Sequence, residues 1–309
     1  QEISPSLRAL SPPNSSTITV GGNWNTSGGT GWTPGTSTVD LTGTSNLSQY
    51  QTTPWTYGFY ILKVAASGFT TTLTTSQNWT KYLTVGSGTL TDGVNSYDIY
   101  LHGFGNVFTD GGATITVASF YYRGGANNSQ NVVSRDYSSI TNLYFNGVGG
   151  TTGNSTYSMQ GAITATNISV YSNNTDTQTN VSVLNTNNYG ITASSTSIGR
   201  GVNTDYGKLN AGSSVLDING NVTIYASDTY GANEIDAGSS TWNITGNFTN
   251  NDVFTPGTSN INLTGTTQQT ITTNSQSFNN LTLNNTGTDG TANRPLSKVL
   301  NLIIMEASY

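Results

Sequence analysis

The chain has no cysteine, so it offers neither a disulfide framework nor a thiolate metal site. Charged residues make up only 8% of its 309 residues, against roughly 25% in a typical soluble domain, and this is not the composition of an ordinary cytosolic enzyme. The nine Lys and Arg residues are scattered and the net charge is −6, so no basic cluster exists to neutralise phosphates. These shortages argue against nucleic acid as a partner.

Long apolar runs and histidines are also scarce. The best apolar run, VLNLIIM at residues 299–305, is far shorter than the ~20 residues that cross a bilayer, so we expect no membrane-spanning segment. The only histidine is His102, and one imidazole cannot form a multi-histidine metal site. Its neighbours suggest no Ser-His-Asp arrangement, and we expect it on the surface of the fold.

Helix-forming patterns are absent as well, because Ala, Leu, Glu and Lys are scarce and no stretch has the three-and-four spacing of an amphipathic helix. What the chain does contain is many short alternating runs bounded by Gly, Asn, Asp or Ser, which predict strands with one buried face. These runs lie at residues 18–20, 39–41, 83–85, 115–117, 168–170, 181–183, 222–224, 261–263 and 281–283. The 17 Tyr, 9 Phe and 5 Trp residues argue for a folded protein rather than a disordered one.

Internal repeats predict how those strands are arranged. AGSSVLDINGNV at residues 211–222 returns as AGSSTWNITGNF at 237–248, and Gly246 is followed by a matching Gly265. A unit this short cannot bury its own apolar face, but stacked copies build a continuous core and pair strand to strand at ~4.8 Å. We therefore predict a right-handed parallel β-helix (β-solenoid) with irregular coils and loop excursions. Tandem β-sandwiches, with antiparallel pairing, are the alternative.

A second repeat joins the two ends of the chain. NWNTSGGTGWTPGTSTVDLTGT at residues 23–44 matches NFTNNDVFTPGTSNINLTGT at 247–266. The matched aromatic residues are expected to fill corners of the core, with a sugar-stacking platform as the alternative; they are Trp24, Trp32, Phe248 and Phe254. Glycines after the alternating pairs are expected at corners that need a positive φ or a close backbone approach; they are Gly220, Gly246 and Gly265.

The chain divides into three parts by composition. Residues 1–17 are interpreted as an extended lead-in or linker, and 18–293 as the solenoid repeats, clearest at 19–90 and 211–286. The apolar tail, 294–309, departs from the Thr/Asn/Gly style and is interpreted as a cap or a strand that pairs with another subunit. Because the first residue is Gln1, we interpret the chain as a processed form or a piece of a longer protein.

The repeat unit resembles the β-strand repeat of secreted or surface-exposed microbial proteins of the parallel β-helix type, which are adhesin-like or surface-layer-like. The unit reads as an alternating pair, Gly, Asn, an aromatic residue, a second aromatic residue, Thr-Pro-Gly-Thr, a further alternating pair and Thr-Gly-Thr. Phe59–Val64 also resembles a degenerate copy of residues 278–283. The resemblance implies a solenoid architecture and an extracellular or cell-surface location, and it supplies no catalytic residues.

Three acidic residues are the best candidates for chemistry. Asp205, Asp228 and Asp252 recur at nearly equal intervals along the chain and could form a column on one face of the solenoid. Such a column could hold calcium, or it could supply the paired carboxylates of a polysaccharide-degrading enzyme. Arg200 and Lys208 lie close to Asp205 in sequence. Asp also favours turns for local reasons, and each of the three sits beside turn residues, so the turn role is the leading interpretation.

A β stack with so little charge has few devices against edge pairing, so surface glycans would add bulk and solubility. The candidate N-glycosylation sites are Asn25, Asn78, Asn127, Asn154, Asn173, Asn247 and Asn284. The leading functional hypothesis is an extracellular structural or adhesive protein without catalytic activity, whose partners are copies of itself and surface carbohydrate. A carbohydrate-active β-helix enzyme is the alternative. No cofactor is expected, calcium excepted.

Overall fold

The computed structural model describes residues 15–26, 32–49, 58–148, 153–173, 180–201, 205–227 and 231–287. These residues contain no helix, and their strands stack as parallel sheets of a β-solenoid. Every strand pairing that the structure gives for them is parallel, whereas β-sandwiches require antiparallel pairing. The predicted solenoid is confirmed for the described part of the chain. The 294–309 tail and most of the predicted lead-in lie outside it.

The chain forms two compact units. The first contains Gln1–Arg123, Gln130–Val133 and Ser139–Asn142, and the second contains the remaining residues. The strands of the first unit are β1 (Thr17–Val20), β2 (Trp24–Asn25), β3 (Thr38–Leu41), β4 (Ser45–Ser48), β5 (Phe59–Val64), β6 (Thr70–Leu73), β7 (Gln77–Val85), β8 (Thr89–Thr91), β9 (Asp98–Leu101), β10 (Phe108–Asp110) and β11 (Thr114–Thr116). Three strands contain residues of both units, namely β12 (Ser119–Gly124), β13 (Ser129–Val132) and β14 (Asp136–Val148).

The strands of the second unit continue the same pattern. They are β15 (Ser155–Met159), β16 (Ile163–Asn173), β17 (Ser182–Asn185), β18 (Ile191–Ile198), β19 (Gly207–Asn210), β20 (Val215–Ile218), β21 (Val222–Ile224), β22 (Glu234–Asp236), β23 (Thr241–Ile244), β24 (Phe248–Asn250), β25 (Val253–Thr255), β26 (Asn260–Leu263), β27 (Ile271–Thr272) and β28 (Asn280–Leu283). Each predicted alternating run falls wholly or mostly within one of these strands.

In the second unit the strand register follows the sequence repeat. Leu216 of β20 pairs with Trp242 of β23, and Trp242 pairs with Ile261 of β26. All three side chains are fully buried, because the alternation of each strand points them inward. The first pairing has the same offset as the two AGSS phrases, and the second has the same offset as Gly246 and Gly265. The prediction that repeated phrases lie on successive coils is therefore confirmed.

Part of the first unit has coils that advance by equal steps along the chain, although the steps elsewhere in the unit differ. β1, β3, β5 and β7 pair in turn, and β7 then pairs with both β9 and β10. A second sheet of this unit contains β2, β4, β6, β8 and β11. Phe59 lies opposite Thr80, and Thr80 lies opposite Leu101. These two steps along the chain are equal, whereas the step from Leu83 to its register partner Phe108 in the same sheet is longer.

The corner glycines are needed for close approach and not for a positive φ. Gly220, Gly246 and Gly265 are absent from the positive-φ residues, so that part of the expectation was wrong. A Cβ added to Gly246 would instead lie 2.6 Å from the carbonyl oxygen of Gly220, and closer still to its carbonyl carbon. Positive φ occurs in the Thr-Pro-Gly turn, where Gly257 has φ +53°. Coils stacked at ~4.8 Å leave no space for a methyl group between two backbones at this corner.

We predict that Gly246→Ala destabilises the second unit by about 1–3 kcal/mol, because the added methyl group has to push neighbouring coils apart. Gly125→Ala is the matched control in the same unit, since a Cβ there meets no atom within 4 Å. Denaturant unfolding followed by circular dichroism measures both variants. Equal stability of the two variants would contradict the close-packed corner.

Candidate functional site

The two tryptophans of the first repeated phrase, Trp24 and Trp32, pack with Phe59 inside the first unit. The rings of Trp24 and Trp32 lie 4.9 Å apart, and those of Trp24 and Phe59 lie 5.8 Å apart. These side chains are 2%, 3% and 1% exposed respectively. The Trp32 indole N–H donates to the carbonyl oxygen of Gly58 at 3.3 Å. The rings form part of the core, as expected, and present no face to a sugar.

The second copy of the phrase builds the same cluster inside the second unit. Phe248 lies 5.2 Å from both Phe254 and Phe278, and Phe254 lies 5.5 Å from Phe278. Phe278 precedes β28, which pairs with β26 in the same register as β5 pairs with β3 in the first unit. The degenerate similarity between Phe59–Val64 and residues 278–283 therefore reflects equivalent positions in two coils.

An aromatic ladder runs along the outward side of the first unit. Trp79, Tyr100 and Tyr121 are register partners on β7, β9 and β12. Their rings stack with centroids 4.2 Å apart, at interplanar angles of 11° and 17°. The Tyr100 hydroxyl donates to an Asp98 carboxylate oxygen at 3.0 Å. Burial raises the pKa of Tyr100 and that of Asp98, so the phenol stays neutral and acts as the donor.

A column of basic residues runs beside this ladder. One register column contains Thr80, Leu101 and Tyr122. The residues that directly follow these three in the chain are Lys81, His102 and Arg123 respectively. The Lys81 ammonium lies 5.2 Å from the centre of the Tyr60 ring. The Arg123 guanidinium carbon lies 5.0 Å from the centre of the Trp79 ring, and the His102 ring lies 6.1 Å from it.

His102 is buried in this column, contrary to the expected surface position. Its exposure is 8%, and burial together with the positive charges of Lys81 and Arg123 lowers its pKa to about 4. The expectation was wrong because the side chain points away from the core, yet neighbouring side chains cover it. At neutral pH the imidazole is uncharged and serves as a packing group against Trp79.

The sequence pattern that predicts these two columns is a constant interval between residues, and it matches no familiar motif. Tyr60, Lys81, His102 and Arg123 follow one another at a constant interval, which equals the step from Phe59 to its register partner Thr80. Trp79, Tyr100 and Tyr121 have the same spacing. A comparison of residues one coil apart therefore finds both columns, although it does not show which side of the coil they face.

Asp205 is held inside the second unit by an ion pair. The Arg200 Nε donates to its carboxylate at 2.8 Å, and the Asp205 side chain is only 3% exposed. Burial raises the pKa of Asp205, and the bond and charge of Arg200 oppose that rise. Arg200 also donates to Asn173 Oδ1 at 2.8 Å and lies 4.0 Å from the centre of the Tyr171 ring. Arg200 therefore links the Asp205 carboxylate to Asn173 and Tyr171 of the preceding coil.

Asp252 has a different local role, and the structure does not align it with Asp205. Its carboxylate accepts the backbone N–H of Asn233 at 2.7 Å. The flanking register places Glu234 opposite Lys208 and Val253 opposite Glu234, so Asp252 lies opposite Asn233. Asp228 lies outside the described residues. The described residues hold no group of three or more His, Cys, Asp or Glu that could bind a metal, and calcium binding and catalysis remain predictions.

The candidate glycosylation sites differ in exposure. Asn127, Asn154 and Asn284 are exposed, and Asn25, Asn173 and Asn247 are half-buried. Asn78 is 3% exposed, and its amide donates to the carbonyl oxygens of Thr75 at 2.9 Å and of Asp98 at 3.2 Å. The folded protein has no room for a glycan on Asn78, and modification of the other sites stays a prediction.

Comparisons with known proteins add no relatives. No protein-family model, no curated protein and no solved structure matches the chain. In the part of the chain that the structure describes, no helix has the length and apolar character needed to cross a membrane.

We predict that Trp32→Phe costs clearly less stability than Trp32→Ala, because the equivalent position of the second unit carries Phe254 in the same kind of cluster. Truncation to Ala is expected to cost about 3–5 kcal/mol. Val94→Ala is a neutral control, since Val94 is fully exposed. Thermal and denaturant unfolding measure all three variants. Equal losses for Phe and Ala at position 32 would show that the two clusters are not equivalent.

His102 gives a pH prediction with a defined sign. The folded pKa of about 4 lies below the ordinary value of about 6.5, so the unfolded chain binds more protons between these pH values. The stability that neutral His102 contributes is present above pH ~6.5 and is lost as the pH falls towards ~4, by roughly 3 kcal/mol in all. His102→Phe should remove this loss. Unfolding free energies of both proteins at pH 7 and pH 4 test it, and an identical pH dependence would contradict it.

Proposed function

We propose that this chain is a structural and adhesive scaffold at the extracellular surface of a microbial cell. The observation that carries the proposal is the coil-to-coil stacking of repeated phrases, with aromatic rings inside and columns of polar side chains outside. Such stacks are stabilised by contacts between neighbouring coils, and they can be extended without a new kind of core. The resemblance of the repeat unit to surface-exposed microbial proteins supports the same assignment.

Polar side chains tie successive coils together on the outward side. Asn243 donates to Asp217 at 2.7 Å, and Asn262 donates to Asn243 at 2.9 Å, along one register column of three coils. Asn210 donates to Asn185 at 2.7 Å in a second column. Side-chain hydrogen bonds between in-register positions stabilise parallel strands, and the Asn185–Asn210 and Asn243–Asn262 pairs do so between uncharged amides. They suit a protein that has to persist as a stiff support.

The first unit displays threonines in two columns. Thr70, Thr89 and Thr114 are register partners in one of them. Thr72, Thr91 and Thr116 occupy the other. A repeated polar surface offers many weak hydrogen bonds to one partner, and multivalency converts weak single contacts into firm attachment. This supports an adhesive role.

Nothing in the contacts of the acidic candidates favours the enzyme. Asp205 is committed to Arg200, and Asp252 to a backbone N–H of the adjacent coil. Assembly of copies end to end or by strand addition, through the tail at residues 294–309, belongs to the scaffold proposal and depends on residues outside the described part.

Immunogold labelling of intact cells of the organism that encodes the chain tests the proposed location. We expect gold particles on the outer surface without permeabilisation, and loss of the label after brief protease treatment of the intact cells. An antibody to a cytosolic protein is the control, and it should label permeabilised cells only. Label that requires permeabilisation would overturn the proposal.

A further inference from the structure

An exposed aromatic row crosses three successive coils of the first unit. It consists of Tyr60 on β5, Tyr82 on β7 and Phe104, which follows β9. Tyr82 is the register partner of Ile61, and the register of β7 and β9, continued past Leu101, places Gly103 opposite Tyr82. Each aromatic residue of the row therefore lies one position beyond the register partner of the aromatic residue on the previous coil. Tyr60 and Tyr82 are half-buried, and Phe104 is 61% exposed.

Local contacts keep the row continuous. The Tyr60 and Tyr82 rings meet edge to face, with centroids 5.6 Å apart. A Cβ added to Gly103 would lie 3.0 Å from Tyr82 Cε1, so the Tyr82 ring lies against the backbone that leads directly into Phe104. Gly103 thus allows the ring of one coil to lie over the next coil. Tyr60 and Tyr82 are therefore in ring contact, and Phe104 directly follows the glycine against which the Tyr82 ring lies.

Positive charge lies beside this row. The Lys81 ammonium lies over the Tyr60 ring. The positive charges of Lys81 and Arg123 both lower the pKa of His102. No carboxylate of the described residues pairs with Lys81. Three of the described carboxylates of the first unit accept hydrogen bonds elsewhere, since Asp92 accepts two backbone N–H groups, Asp98 accepts the Tyr100 hydroxyl and Asp110 accepts a backbone N–H. The fourth, Asp40, is the register partner of Lys63.

We propose that Tyr60, Lys81, Tyr82 and Phe104 form a binding strip for an acidic polysaccharide, such as a polyuronate; the proposal deepens the adhesive part of the proposed function and rests on it. Each sugar of such a polymer presents an apolar ring face, which stacks on an aromatic side chain, and a carboxylate, which is attracted to an ammonium. The row extends along the stack and therefore suits an extended chain. Nucleic acid fits less well, because its phosphates are usually neutralised by clustered Lys and Arg, whereas the strip contains a single lysine.

Binding of the full chain to polygalacturonate, measured by isothermal titration calorimetry, tests the proposal. Hydroxyethylcellulose serves as the neutral polysaccharide, and oligo-dT as the nucleic acid. We expect affinity for polygalacturonate above that for both comparison polymers, and an affinity that falls with added salt. Phe104→Ala and Lys81→Gln should each weaken binding about tenfold.

Matched controls keep the test specific to the strip. Phe69→Ala removes another exposed aromatic residue, 42% exposed, and Lys63→Gln removes another exposed lysine of the same unit. Both should bind within about twofold of the unchanged protein. Circular dichroism and thermal unfolding establish that Phe104→Ala, which alters an exposed side chain, remains folded.

Several results would overturn the proposal. They are no binding to polygalacturonate, equal binding to hydroxyethylcellulose with no effect of Lys81→Gln, tighter binding to oligo-dT, or an equal loss in Phe69→Ala. The outcome is separable from the cell-surface test. If the protein binds polygalacturonate but is found inside cells, the proposed function is wrong and the binding strip stands. If the protein is found at the cell surface but binds no polygalacturonate, the binding strip is wrong and the proposed location stands.

Discussion

Parallel main-chain pairing of each coil with the next, in a fixed register, is the constraint on which the rest of this structure depends. A strand slipped by one residue would turn every inward side chain outward, so the register of the coils and the content of the core are set together. Because register partners lie ~4.8 Å apart, each position of a coil becomes a column along the stack. Leu216, Trp242 and Ile261 form one inward column, and Asp217, Asn243 and Asn262 form the neighbouring outward one.

That spacing explains features that have no local cause. Gly246 is required because the backbone of Gly220 lies where a methyl group would be, and not because its own φ demands glycine. The pKa of His102 is lowered because it is buried and because Lys81 and Arg123 occupy the same column on the coils before and after it. Each effect joins residues on different coils, and each follows from stacking one coil on another.

The sequence predicted the fold class and the core of the repeated phrases well, and it predicted the site poorly. Near-identical phrases such as AGSSVLDINGNV and AGSSTWNITGNF predict the strand register, because matched residues of the two phrases become register partners on neighbouring coils. The acidic column from Asp205 to Asp252 stays a prediction, and the register of its two described members does not align them. Its nearly equal intervals do not match the unequal coils here, whose register places Asp252 opposite Asn233. Equal spacing in sequence implies alignment in space only where coil length is constant.

Composition and repetition by themselves determined that this chain is an all-β solenoid with aromatic clusters in its core, because short alternating runs can bury their apolar faces only by stacking. The tertiary structure alone decided which residues meet on the outside. Tyr60, Tyr82 and Phe104 become one strip because the row shifts by a single position from each coil to the next, and because Gly103 lets a ring lie across the next coil. Repeated phrases predict the strand register where they occur, whereas this strip contains no repeated phrase and depends on the register of β5, β7 and β9.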